Sequence, residues 1–272
     1  YSNPSNVDTV RQAASHLHTV MRSPDGHYMF VTDLGGDCIY KFELRPDFKK
    51  GTPERTDLPK GCGPRHIDFS ADSKYMYVIT ELSDEIIVFD YEPVRGLLTQ
   101  KQVVKASDAG ARGGADIHVS PDGKFLYASV RLKNDGIAIF KIKPDGTLEK
   151  VGYQNTGKHP RNFAITPNGK YLLVACRDDN RIEVYERNAE TGLLTSTARA
   201  MHMPRANRIP PTVPKSRDTK FFFFMFHRPP FFVSFSFAGH ILPGGCLKDA
   251  SELFAKCEFP PFQRGKKQGL TG

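Results

Sequence analysis

Residues 65–81 read RHIDFSADSKYMYVITE, and three other stretches repeat the pattern: HTVMRSPDGHYMFVTDL at 18–34, ADIHVSPDGKFLYASVR at 115–131 and RNFAITPNGKYLLVACR at 161–177. Their starts lie 47, 50 and 46 residues apart. Each unit opens with a short strand that runs into Ser/Thr-Pro-Asp/Asn-Gly, degraded to Ser-Ala-Asp-Ser in the second unit. Pro and Gly there set the backbone angles of a tight turn. A longer strand follows, rich in Tyr, Phe, Val and Met and expected to be near-alternating in polarity. A third strand comes next: DCIYKFEL, DEIIVFDY, DGIAIFKI and NRIEVYER. LLTQKQVVKA and TLEKVGYQNT, each introduced by a glycine turn, read as fourth strands. Four antiparallel strands every 46–50 residues predict an all-β fold, a β-propeller of four-stranded blades. A β-sandwich gives no reason for repetition at fixed spacing.

The repeat sets the domain organisation. Residues 1–196 are expected to form a partial propeller of about four blades, near 18–60, 65–110, 115–157 and 161–196. After residue 196 the pattern stops. FFFFMFHRPPFFVSFSF at 221–237 carries no strand or helix period, so 197–272 is expected to be an irregular or disordered tail unrelated to the fold. Charge divides at the same place. Residues 197–272 hold twelve of the 38 Lys and Arg and four of the 30 Asp and Glu, so the whole net charge of +8 sits there. The patterned part is neutral and offers no basic field to a nucleic acid. No clean apolar run of about 18 residues suggests a membrane-spanning helix. Five scattered cysteines without a C-x-x-C pair suit reduced thiols and a cytoplasmic setting. The chain starts at Tyr1 with neither a Met nor a basic-then-apolar leader, so a signal peptide is expected to be absent or already removed, or the chain to be a fragment.

A repeat separates scaffold from function, because residues that differ at one fixed position need a local reason. The position opening the first strand holds His18, Arg65, Ala115 and Arg161. The position closing the second holds Leu34, Glu81, Arg131 and Arg177. The two lie equidistant from the turn, so they should be neighbours across the hairpin. The first strand of a blade lies nearest the central channel. Around the ring, His18, Arg65, Glu81, Arg131, Arg161 and Arg177 should therefore gather at one mouth. The bland alternative for Arg65 and Glu81 is a rim ion pair contributing under about 1 kcal/mol.

The segments SHLHTVMRSPDGHYMFVTDLGGDCIYKF, GPRHIDFSADSKYMYVITELSDEIIVF and GKHPRNFAITPNGKYLLVACRDDNRIEVYER together resemble the seven-bladed propeller lactonases, the 6-phosphogluconolactonase family, whose fold and site the carboxymuconate cycloisomerases share. The resemblance runs from about residue 10 to about 195. It implies a seven-bladed ring of which about four blades are present, the others falling before Tyr1 and where the tail stands. A chain so incomplete leaves its own activity in question. The resemblance also implies catalytic roles for His18, Arg65, Glu81 and Arg131. Leu17 and Thr80 depart from the family's HPH and NELS patterns without removing a reactive group.

These residues suit hydrolysis of a sugar-acid lactone, with 6-phosphogluconolactone to 6-phosphogluconate as the implied reaction of carbohydrate metabolism. Arg131, Arg161 and Arg177 could hold a carboxylate or phosphate, with His66 beside them on the substrate. Arg65 could polarise the carbonyl. His18 is the expected general base, with Glu81 orienting Arg65 and its own pKa depressed by the pairing. The alternatives are a lactonising cycloisomerase and a non-catalytic binding platform. His16 and His18 share a strand face and could ligate a metal with Asp116, His118 or Glu81. No complete ligand set has a recognised spacing, however, and the arginines would repel a cation, so neither metal nor cofactor is expected. No serine elbow occurs, GARGG at 110–114 reads as a loop, and Cys176 reads as strand packing.

Overall fold

A computed structural model of the chain describes residues 4–44, 52–202, 224–228 and 231–235. The chain divides into two compact units, Tyr1–Gly239 and His240–Gly272, and every described residue lies in the first. Sixteen strands form four antiparallel meanders in chain order. The first blade holds β1 (Leu17–Arg22), β2 (Tyr28–Asp33), β3 (Cys38–Glu43) and β4 (Glu54–Asp57). The second holds β5 (Pro64–Phe69), β6 (Tyr75–Thr80), β7 (Glu85–Glu92) and β8 (Leu97–Lys105). The third holds β9 (Gly114–Val119), β10 (Phe125–Val130), β11 (Gly136–Ile142) and β12 (Leu148–Asn155). The fourth holds β13 (Pro160–Ile165), β14 (Tyr171–Cys176), β15 (Arg181–Arg187) and β16 (Leu194–His202). The first strands pack on one another from blade to blade, β1 on β5, β5 on β9 and β9 on β13, as the innermost strands of a propeller do.

The core lies between blades. On β6, Tyr77 and Ile79 face Leu126, Ala128 and Val130 of the third blade. The alternate residues Met76 and Val78 join Phe30 and Ile39 of the first. Both faces of β6 and β10 are thus apolar and buried. The expected alternation of polarity is corrected here: a strand pressed between two sheets has no wet face. On β14 only every second residue is buried, since Leu172 and Val174 meet the third blade while Tyr171, Leu173 and Ala175 stay partly open.

Two recurrent devices hold the blades in register. The turns before the fourth strands contain Gly96, Gly146 and Gly192 at positive φ. A methyl group on Gly146 would lie 2.4 Å from the Tyr75 ring, and one on Gly192 would lie 2.3 Å from Phe125, so an aromatic of each blade seats directly on the next blade's turn. Tyr77 and Tyr127 add hydroxyl bonds to the carbonyls of Gly146 and Gly192. At the other end, the acid that opens the third strand of each of the first three blades accepts amides leading into the next inner strand. Asp37 takes Gly63 N, Asp84 takes Gly113 N and Gly114 N, and Asp135 takes His159 N.

The fourth blade runs past the expected boundary at 196. β16 continues to His202 as an outer edge strand, which buries few side chains and so needs no hydrophobic pattern to form. Further on, β17 (Phe224–Arg228) pairs with β18 (Phe231–Phe235) as an antiparallel hairpin, in keeping with the strand preference of Phe and Val. The rest of the stretch expected to be irregular lies outside the described residues. Among the described residues, no helix is long and apolar enough to cross a membrane.

Candidate active site

The pairing register breaks once in every inner strand, at the position where the repeat varies. Two residues of β1, His18 and Thr19, oppose Thr32 alone. Arg65 stands unpaired between Pro64 and His66. Ala115 and Asp116 oppose Ser129, and Arg161 stands unpaired between Pro160 and Asn162. A bulge of this kind re-aims a side chain out of the pleat. It is how an otherwise regular hairpin delivers charged groups to the mouth.

Arg65 and Glu81 meet although the ladder does not pair them: Glu81 N bonds the Gly63 carbonyl, and the bulge turns the Arg65 side chain onto the carboxylate. Arg65 Nε donates to Glu81 Oε2 at 2.9 Å, and Arg131 Nη2 donates to the same oxygen at 3.0 Å. Arg11 Nη2 takes Oε1. Arg65 also donates to the Ala115 carbonyl, and Arg131 to the carbonyls of Gly113 and Gly114. All three central groups are buried, Arg65 to 2 % exposure. Burial pulls Arg65 down to about 10, helped by the Arg131 charge, and burial lowers Arg131 in the same way. Burial alone would raise Glu81, but Arg131 and Arg65 outweigh it and hold the carboxyl below its ordinary value. Glu81 therefore keeps its charge at neutral pH and locks two guanidinium groups side by side.

His18 stands next to this cluster, its ring 5.1 Å from that of His66. Its Nδ1 is buried without a hydrogen-bond partner. Burial first, then Arg65 and His66, bring it down to about 3. Arg161 is exposed and makes no hydrogen bond or ion pair with any described residue, yet its charge acts on His18, Arg65, Arg131 and His159. Arg177 is more peripheral, with Nε on Asp178 at 2.7 Å and Nη2 against His159 at 3.2 Å.

Three participants escaped the repeat analysis. Arg11 lies ahead of the first repeat, so no alignment of units could reach it. His159 precedes the varied position by two residues and reaches Arg131 Nη1 at 3.5 Å. Burial, then Arg177 and Arg131, bring it to about 4. Asp116, weighed in the sequence only as a metal helper, is a buried carboxylate bonded to His66 and His118. The signal that could have found it is that no other blade has a carboxylate at its position: the equivalents are Thr19, His66 and Asn162. Among the described residues, no group of three His, Cys, Asp or Glu side chains is placed to hold a metal ion.

Residues 2–211 match the family described as Lactonase, 7-bladed beta-propeller. A 6-phosphogluconolactonase of Formosa agariphila is 42% identical over 192 residues, covering 67% of this chain and 54% of the relative. A solved structure of a candidate 6-phosphogluconolactonase from Bacteroides uniformis ATCC 8492 is 53% identical with a TM-score of 0.70, covering 72% of this chain and 58% of that one. The periplasmic gluconolactonase of Pseudomonas aeruginosa is 32% identical with a TM-score of 0.69, covering 75% and 58%. The chain thus spans little more than half the length of the relatives it matches.

Proposed function

The chain belongs to the seven-bladed β-propeller lactonase family, and from that premise we propose that it hydrolyses the ring ester of a sugar-acid lactone, with 6-phosphogluconolactone as the substrate of choice. The buried Arg65–Glu81–Arg131 cluster carries the reading. Two guanidinium groups share one carboxylate oxygen, leaving a positive excess where charge develops on the carbonyl oxygen during attack. Arg65 Nη2 has no partner among the described residues and would take that oxygen. Arg161, unpaired at the mouth, supports a second anionic group on the substrate, which favours the phosphorylated lactone over the plain one. A neutral imidazole is needed to take a proton from water, and His18 and His66 stand together where it would act.

The proposed compartment is the cytoplasm, where the free buried thiols of Cys38, Cys62 and Cys176 would stay reduced. Fractionation of the source cells checks it. No nucleic-acid or membrane partner is proposed, the repeats being neutral overall.

The test is acid release from 6-phosphogluconolactone at pH 7 by the full 272-residue chain, with the spontaneous rate subtracted and gluconolactone run in parallel. Turnover of the phosphorylated lactone supports the reading. Arg161→Ala should raise its KM and leave that of gluconolactone nearly unchanged. A rate equal to the spontaneous one for both lactones rejects it.

A further inference from the structure

Beside the Arg–Glu cluster lies a second set of buried polar groups, centred on Asp116. Asp116, in the β9 bulge, has a side chain 2 % exposed. Its Oδ1 accepts His66 Nδ1 at 2.5 Å and Ile117 N at 3.0 Å. Its Oδ2 accepts His118 Nε2 at 3.2 Å, Phe163 N at 3.1 Å and the Asn162 amide. Three blades thus converge on one carboxylate. Apolar residues would fill such a space at lower cost, since burying charges in a wall is expensive even when they are paired.

Resting on the lactonase reading, we infer that His66 is the proton-carrying base of this site and that Asp116 is its positioning residue. Asp116 is encircled by donors, so it acts as an acceptor only and Nδ1 of His66 must donate to it. That fixes the tautomer and leaves the lone pair of Nε2 accepting from Arg65 Nη1 at 3.3 Å, a long contact that a bound water must displace before Nε2 takes its proton. The group that takes a proton then adjoins the group that polarises the carbonyl. Burial would raise Asp116, but His118 and His66 overcome it and keep the carboxyl well below the usual range. His118 lies between Asp116 and Asp68. Although burial opposes it, the Asp116 charge brings His118 up to about 9, so it is an imidazolium at neutral pH. His118 balances the charge of Asp116, which leaves Asp116 chiefly to orient the ring. The titratable groups facing His66 are His18 from β1, Arg65 from its own strand and Asp116 from β9.

His18 lacks all of this. Among the described residues no carboxylate hydrogen-bonds it and its Nδ1 has no partner, so nothing fixes its tautomer. The step balances without it. An O–H bond of water breaks, the proton passes to His66 Nε2, and the water oxygen bonds to the lactone carbonyl carbon. The resulting oxyanion sits on Arg65. The ring C–O bond then breaks, and the proton on Nε2 goes to the leaving alkoxide. Lactone and water give the hydroxy acid.

Variants of the full chain test the inference. His66→Gln should lower kcat on 6-phosphogluconolactone by roughly 10²–10⁴-fold with KM within a few-fold. Asp116→Asn should also lower kcat with little change in KM, since an amide can donate to the ring and favour the wrong tautomer. His18→Gln should cost less than tenfold in kcat. Nitrogen-15 NMR of the wild-type chain should find His66 protonated at Nδ1, a readout that needs no variant to fold and no turnover. A loss in His18→Gln matching that in His66→Gln overturns the inference, as does His66 protonated at Nε2. Wild-type protein without hydrolysis overturns the lactonase reading and the base role with it, whereas the tautomer decides the Asp116–His66 clamp separately.

Discussion

Arg65 shows what a single bulge accomplishes. Its place in the repeat marked it as an exception, and equal distances to the turn pointed to Glu81, although the bulge and not the ladder brings the two together. That Arg131 from the next blade and Arg11 from outside the repeats share the same carboxylate was not visible in either argument, because both contacts cross between segments far apart in sequence. The rim ion pair weighed at the outset would be worth under about 1 kcal/mol. The observed one is buried, so Glu81→Gln should destabilise the chain by about 3–5 kcal/mol by stranding two guanidinium groups. Urea unfolding of the variant measures it, and a cost under about 1 kcal/mol would return the pair to the rim. His18 illustrates the opposite case. Its residue type suited a general base, but its surroundings, legible only in three dimensions, bury it and leave its Nδ1 without a partner.

The blade elements were largely legible. Turn signals and strand composition marked the first three strands of every repeat, and two of the four outer strands. β4 and β16 were missed because edge strands bury little and carry weak patterns. The degraded Ser-Ala-Asp-Ser turn keeps its shape by placing Ser73 at φ 62°, where the other three units have Gly26, Gly123 and Gly169. A side chain there costs about 1–2 kcal/mol, so Ser73→Gly should stabilise by about 1 kcal/mol and raise Tm by roughly 2–4 °C. Calorimetry checks it, and an unchanged or lower Tm would contradict the strain. Gly146→Ala should do the reverse. It adds strain at φ 81° and drives a methyl group into the Tyr75 ring. A loss above about 2 kcal/mol is expected in urea unfolding.

For the whole molecule, the buried charges set a pH dome. His18 and His159 ordinarily titrate at 6.5 and are held at about 3 and about 4. The unfolded chain takes up their protons first, so stability falls as pH drops below 6.5. Glu81, held below its ordinary 4.5, adds a loss as pH falls under that value. His118, raised from 6.5 to about 9, contributes fully below 6.5 and loses its contribution as pH rises through 9. Tm measured from pH 3 to 10 should therefore peak near pH 6.5. His118→Gln should flatten the alkaline side, and an alkaline limb unchanged in that variant would contradict the assignment. Repetition along the chain was enough to determine the blades, their order, the neutral charge of the patterned part and the residues that break the pattern, because a repeating hydrophobic period admits one way of stacking. Which of those residues hold a charge or lose one was decided only when neighbouring blades closed over them. Burial and the partners that cross from one sheet to the next set those properties, and neither is written in the spacing of a single strand.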